Sequence, residues 1–228
     1  MMVRVPTGVN GLDPLVEGGF LRGDLILLAG GIGCGKTIFS TQFICNGAIQ
    51  HGERGVLITF EEDAWTLKRN MLRFGFDLDG LEKQGLIKVL DLEAHSAEDL
   101  TTNIEQILNL LDDLQATRLA IDSLTAFLMA NQQQFEFRTL MHLVYKTLKT
   151  RGCTTLMTCS IPAGTETLGL GIEEFVADAV IILENIPFGI ELKTRFLVRK
   201  MRGTNHSRKY HSVVITSKGM EIIPFTAT

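Results

Sequence analysis

The run Gly30-Gly31-Ile32-Gly33-Cys34-Gly35-Lys36-Thr37 has the residue types and spacing to hold a polyphosphate. It fits the pattern G-x-x-x-x-G-K-[ST], in which glycines let the backbone fold around an anion with its N–H groups pointing inward. A helix starting at the end of the run adds partial positive charge. In such a P-loop Lys36 reaches the β- and γ-phosphates of a nucleotide, the Thr37 hydroxyl binds Mg²⁺, and Gly31, Gly33, Cys34, Gly35 and Ile38 complete the cradle. A glycine-rich turn that binds nothing is the bland alternative. It accounts poorly for a full match placed between an apolar run, Asp24 to Ala29, and a helical pattern, Ile38 to Ile49, with Phe39, Phe43 and Ala48 at helical spacing.

Hydrolysis of a bound nucleotide also needs acids. Asp122 follows Leu119-Ala120-Ile121 and should emerge at the carboxyl end of a buried strand, where open α/β sheets bind ligands. Many strands end in Asp; downstream of a P-loop, this one reads as the acid that holds the metal. Glu61 and Glu62 follow Val56-Leu57-Ile58-Thr59-Phe60 and are candidates to activate water. A regular strand would aim only one of two adjacent residues at a nucleotide. By composition alone the pair is equally well an acidic helix start. Thr158, at a strand end, is a candidate sensor of the γ-phosphate.

Cys34, Cys45, Cys153 and Cys159 form no C-x-x-C pair and have no His at ligand spacing. Cys45 and Cys153 read as small buried residues and Cys159 as a strand-end residue. A helix N-terminus lowers a thiol pKa, which would make Cys34 a redox switch; a tolerated small residue is the simpler reading. Lys193, Arg195, Arg199, Lys200, Arg202, Arg208 and Lys209 cluster late in the chain. They read as a solvated edge, a nucleic-acid stripe or a phosphate clamp. Alternation puts Lys200 and Arg202 on one face of a strand.

These groups need a frame to hold them. Gly55–Phe60, Leu86–Leu92, Arg118–Ser123, Cys153–Cys159 and Ala179–Leu183 read as strands. Helical patterns lie between them: Asp63 to Phe74, a long helix capped by Ser96, and about Phe135 to Thr150 with Leu140, Leu143, Val144 and Leu148 on one face. Then the pattern changes to Leu192–Met201, Tyr210–Thr216 and Met220–Ile223, strands with no helix between them. The expected fold class is α/β: a mainly parallel central sheet flanked by helices, with antiparallel strands at the C-terminal end.

At 228 residues, 45% apolar and 21% charged, the chain suits one soluble domain, 1–228. A net charge of −4 and pI near 5.8 argue against an overall nucleic-acid-binding surface. No apolar run approaches a membrane span, and the start has no apolar signal region, so a cytoplasmic location is expected.

Several phrases carry a family resemblance. Pro6-Thr7-Gly8-Val9-Asn10-Gly11-Leu12-Asp13, Gly18-Gly19-Phe20-Leu21-Arg22-Gly23, the P-loop, Thr59-Phe60-Glu61-Glu62 and Asp122-Ser123 follow one another as in the KaiC family of RecA-like ATPases. Lys200-Met201-Arg202-Gly203-Thr204-Asn205-His206 and Ile215-Thr216-Ser217-Lys218-Gly219 are similar to that family's C-terminal phrases. The chain resembles one KaiC domain along nearly its whole length. The resemblance implies a RecA-like P-loop fold, ATP and Mg²⁺ as cofactors, ATPase activity, and a homohexameric ring with nucleotide between neighbours. It implies Glu61 as first and Glu62 as second choice for the water-activating acid, and Asp122 with Thr37 for the metal. It implies that Lys200, Met201 and Arg202 reach the γ-phosphate of the next subunit's nucleotide. Thr204, His206, Thr216 and Ser217 would line the nucleoside side of that borrowed half-site, and Arg73 would contact nucleotide from the P-loop subunit. A partner protein fits this picture. A RecA/RadA-type DNA-recombination accessory ATPase is the alternative. Thr165 and Thr167 lack the family's phosphosite pattern, so self-phosphorylation is not expected.

Overall fold

A computed structural model of the chain describes residues 3–93, 97–125, 134–161 and 176–225. β1 (Arg4–Val5) pairs antiparallel with β2 (Phe20–Leu21) around a 3-10 turn at Asp13–Val16. Then come β3 (Leu25–Gly30), α1 (Lys36–His51), β4 (Gly55–Thr59), α2 (Ala64–Met71), α3 (Leu78–Lys83), β5 (Ile87–Asp91), α4 (Ala97–Leu114) and β6 (Arg118–Asp122). The rest is α5 (Gln134–Thr150), β7 (Thr154–Ser160), β8 (Ala179–Phe188), β9 (Glu191–Met201), β10 (His211–Thr216) and β11 (Gly219–Pro224).

The main sheet has the order β11-β10-β9-β8-β3-β7-β6-β4-β5. From β8 to β5 every pairing is parallel; β9, β10 and β11 continue the sheet antiparallel. The expected fold class is therefore the observed one. Alternation along β3 shows how both faces are filled. Ile26 and Leu28 join a core with Phe39, Phe43 and Ile44 of α1, whereas Leu25, Leu27 and Ala29 join a second core with Ile107 and Leu111 of α4 and Leu148 of α5. A strand covered on both faces reads as an unbroken apolar run, as β3, β4 and β6 do.

One expectation fails on α5. Leu143 is 61% exposed, while Val144 and Leu148 are buried, so the buried stripe is narrower than the apolar pattern. Ser96, and Thr165 and Thr167, where self-phosphorylation is not expected, lie outside the described residues, as do the side chains of Phe135 and Leu140. β1, β2 and α3 are too short for a periodic signal and were not expected.

Arg118 starts β6 fully buried. Its Nε donates to Glu53 (2.7 Å), Nη1 to the Phe43 carbonyl (2.8 Å) and Nη2 to the Pro6 carbonyl (2.9 Å), which ties the N-terminal segment, α1 and the sheet together. Gly47 leaves room for it: a Cβ there would lie 2.3 Å from Nε. Alanine favours a helix interior over glycine by about 1 kcal/mol, yet we expect Gly47→Ala to lower stability by about 2 kcal/mol through overpacking. Urea denaturation checks this; a stabilised variant would refute it.

Candidate nucleotide site

The P-loop sits where β3 ends, at the carboxyl end of the parallel strands. Gly33 and Gly35 take φ of +72° and +93°, a region that favours glycine, and α1 starts at Lys36. Gly35 also meets a neighbour: a Cβ would lie 2.7 Å from Met220 Cε of β11. Lys36 Nζ donates to the carbonyls of Gly30 and Gly31, both at 3.0 Å, and so is held at the loop itself. We expect Lys36→Ala to abolish tight ATP binding, a loss of about 100-fold or more, because it deletes the charged donor facing the phosphates. Titration with a fluorescent ATP analogue reads this directly; wild-type affinity in the variant is the contrary result.

Cys34 is not the redox switch its position in the sequence allows. Its side chain is fully buried in the α1-side core, its Sγ donates to the Gly31 carbonyl (3.0 Å), and burial pushes the thiol pKa up despite the Lys36 charge. Only its backbone is left for a phosphate. Cys159 is likewise buried within β7.

Strand pairing brings the acids to the loop. β6 lies beside β7, and β7 beside β3, so Asp122 ends its strand near Thr37. Asp122 is 8% exposed and accepts from the Thr158 hydroxyl (2.5 Å). Burial raises its pKa; hydrogen bonds from Thr158 and Thr37 oppose the rise, Glu61 adds to it, and Lys36 opposes it. A carboxylate and a hydroxyl in contact, with burial working against the negative charge, suit a hard cation that Mg²⁺ chemistry completes with phosphate oxygens and water. Thr158, a candidate γ-phosphate sensor by its place in the sequence, donates its hydroxyl to Asp122 here.

Both glutamates lie past the end of β4, so strand alternation does not choose between them. Thr59 turns the chain: its hydroxyl donates to the Glu62 carbonyl (2.8 Å) and accepts from the Glu62 N–H (3.2 Å). Glu61 is exposed and accepts from the Ser123 hydroxyl, beside Asp122. Glu62 accepts from Asn70 Nδ2 (2.8 Å); burial raises its pKa, Asn70 opposes the rise, and Asp63 and Asp122 add to it. The helix start uses neither of them, because Asp63 caps α2 by accepting from the Thr66 N–H (2.9 Å). The bland explanation for the pair is thus filled by another residue.

The remaining candidates divide into two groups. Thr216 and Ser217 form the β10–β11 turn, whose strands pack on the chain's own P-loop: Ile215 and Met220 both approach Gly35. The Ser217 carbonyl also faces Gly75, next to Arg73 in the exposed 3-10 turn Leu72–Phe74. The fold thus places Thr216 and Ser217 near the chain's own P-loop and Arg73, and not with Lys200 and Arg202. The physical reason is the antiparallel return of β11, fixed to α1 by Gln42, which donates to the Met220 carbonyl (3.0 Å) and accepts its N–H (2.7 Å).

Lys200, Arg202, Thr204 and His206 lie at the other end of the sheet. β9 runs antiparallel to β8, and Lys200 Nζ donates to the Ala177 carbonyl (2.7 Å). The Arg202 N–H donates to the Asp178 carbonyl (2.9 Å), and Asp178 pairs its N–H with Leu25 (2.9 Å), the first residue of β3. Five residue steps separate Leu25 from Gly30, about 16 Å at strand rise. Thr204 accepts from Arg4 Nη1 (2.7 Å), and His206 Nδ1 donates to the Ser207 carbonyl (3.0 Å). Met201 is 6% exposed in the core, which leaves its backbone alone for contact with a ligand. Of the other basic residues, Lys193 stacks on Phe188 and Arg195 on Tyr210, with Arg195 Nε donating to Glu184 (2.8 Å). Those contacts lie within the chain, on a strand flanked by β8 and β10, so the expected solvated edge is not an edge of the sheet.

A mostly parallel sheet with a P-loop after β3, an acid ending β6 and antiparallel C-terminal strands defines a RecA-like P-loop ATPase domain. The family profile described as "ATPase: KaiC" matches residues 5–227, and the chain belongs to the KaiC-like ATPase family. It is 34% identical over 238 residues to a UPF0273 protein of Pyrococcus furiosus, covering 98% of this chain and 95% of that one. It is 35% identical over 235 residues to the circadian clock oscillator protein KaiC of Synechococcus elongatus, covering 99% of this chain but 45% of the clock protein. The crystal structure of a KaiC-like protein from Pyrococcus horikoshii superposes with a TM-score of 0.89 at 37% identity, covering 98% of this chain and all of that one. A DNA-recombination ATPase is not favoured by these matches. Among the described residues, no helix is long and apolar enough to cross a membrane.

Proposed function

We propose that this chain is a single-domain ATPase that hydrolyses MgATP in a cytoplasmic homohexameric ring, with each nucleotide held between neighbouring subunits. One observation carries the reading. Lys200 and Arg202 have the residue types of a phosphate clamp, yet they stand a strand length from their own P-loop. A head-to-tail ring brings the amino end of one sheet to the P-loop of the next.

Roles follow for each subunit. The P-loop backbone and Lys36 bind the phosphates, and Arg73, Thr216 and Ser217 border the nucleoside. Thr37 and Asp122 would hold Mg²⁺, which supplies charge neutralisation on the phosphate oxygens. Glu61, beside Asp122, accepts a proton from water, with Glu62 second. The neighbour supplies Lys200 and Arg202, with Thr204 and His206 beside them. Turnover would drive a conformational or partner-binding switch.

Mass measurement by light scattering, with and without MgATP, tests the reading together with phosphate release. We expect ATP to favour a closed oligomer and turnover per subunit to rise with protein concentration as rings form. A monomer that hydrolyses ATP at a rate independent of concentration would overturn it.

A further inference from the structure

Behind Arg202 lies a buried acid pair that the nucleotide site does not use. Asp178 is 4% and Asp24 6% exposed, and both sit at the amino end of the sheet, where β8 and β3 begin. Asp178 Oδ2 accepts from the Leu25 N–H (3.1 Å), and its Oδ1 accepts from the Tyr145 hydroxyl (3.1 Å). Lys149 Nζ lies 3.4 Å from both carboxylate oxygens. Arg202 Nη1 is 3.6 Å from Oδ1. The Arg202 side chain is 54% exposed against 5% for Asp178, so a guanidinium at the surface is held from within by a carboxylate in the core. Lys200 is tethered one residue away, on the Ala177 carbonyl. Both cations thus hang from the dipeptide Ala177-Asp178, which is itself pinned to β3.

We infer that Asp178, backed by Asp24, is a positioning residue for the shared nucleotide site: it orients Arg202 so that the outer edge of the guanidinium faces the neighbouring subunit's γ-phosphate. This rests on the reading of Lys200 and Arg202 as cations supplied to a neighbour. A guanidinium has five donors in a planar fork, so one edge can be held while another binds an anion. A buried, rigid carboxylate removes rotamer freedom that the arginine would otherwise lose at the moment of reaction.

Asp24 makes the anchor sensitive to pH. The groups facing it are Asp178, Lys149 of α5, Arg4 of β1 and Arg202 after β9. Burial first, and then Asp178, raise its pKa to about 6, against the pull of the three cations. Above that pH Asp24 adds its charge to the hold on Arg202 and Lys149; below it, that charge is lost.

The test is a double-mutant cycle on the full chain, read as phosphate release at saturating MgATP. Asp178→Asn keeps an acceptor for the Leu25 N–H and removes the charge. We expect it to lower kcat by about tenfold, with KM for ATP unchanged, because it weakens a charge-assisted contact that acts only through Arg202. In an Arg202→Ala background it should cost nothing further. If Arg202→Ala alone turns over at the wild-type rate, the shared-site reading falls, and this inference with it. If Arg202→Ala is slow but Asp178→Asn costs the same factor in both backgrounds, or nothing in either, the shared site stands and the positioning role is overturned. Should Asp178→Asn fail to fold, Tyr145→Phe runs the same cycle, with an expected loss of about twofold in wild type and none in Arg202→Ala. Wild-type kcat should also fall as pH drops through about 6, and Asp24→Asn should remove that inflection. An inflection unchanged in Asp24→Asn would exclude Asp24 from the anchor.

Discussion

Two variants that are each nearly inactive should regain ATP hydrolysis when their subunits are mixed. The first is Lys200→Ala with Arg202→Ala, the second Glu61→Gln with Glu62→Gln. The first keeps its P-loop, Thr37, Asp122 and both glutamates, because the changed residues lie at the amino end of the sheet, about 16 Å from Gly30 along β3. The second keeps its basic pair. In a mixed ring, some interfaces join an intact P-loop and glutamate side to an intact Lys200 and Arg202 side. Basic groups supplied in trans to a γ-phosphate contribute ~10³-fold or more in rate. Each parent should therefore lose roughly that much, and the mixture should recover a sizeable fraction of wild-type turnover after subunit exchange. Native mass spectrometry shows whether mixed oligomers form. Mixed rings without activity would place the basic pair outside the neighbour's site.

Glutamate exchange is the second large effect. Glu61→Gln with Glu62→Gln should stop hydrolysis while ATP still binds, since an amide cannot accept the proton of the attacking water; loss of a general base costs typically 10²–10⁴-fold. The structure sharpens how the single changes should differ. Glu61 is exposed, bonded to Ser123 and beside Asp122, so Glu61→Gln should account for most of the loss. Glu62 is held by Asn70 and by the Thr59 turn, so Glu62→Gln should cost less and also loosen the chain between β4 and α2. Single-turnover hydrolysis and equilibrium ATP binding separate the two effects. Full turnover in the double variant would remove both residues from the chemistry.

The chemistry of this chain is written locally, and that is why so much of it could be read. A P-loop is one continuous peptide whose glycines, Lys36 and Thr37 work through backbone geometry and a following helix, so spacing alone reveals it. Strands buried on both faces, such as β3 and β6, announce themselves as apolar runs, and the end of such a run marks where Asp122 emerges. The C-terminal shift from alternating helix and strand to consecutive strands was equally plain. Elements of two residues, such as β1 and β2, leave no period to detect.

Strand order and register decided the rest, because they bring together residues that no local pattern links. They placed Lys200 and Arg202 at the far end of the sheet, since β9 runs opposite to β8. They returned Thr216 and Ser217 to the chain's own P-loop, since β11 packs on Gly35 and Gln42. They buried Cys34, in line with the simpler reading of a tolerated small residue and against the reactive thiol that its helix-start position allows. They also set Asp24 beside Asp178, distant in sequence and unremarked in it, because β3 and β8 are parallel neighbours that begin at the same level. Sequence spells out the groups that bind a phosphate; only the folded sheet determines which end of the molecule each group serves.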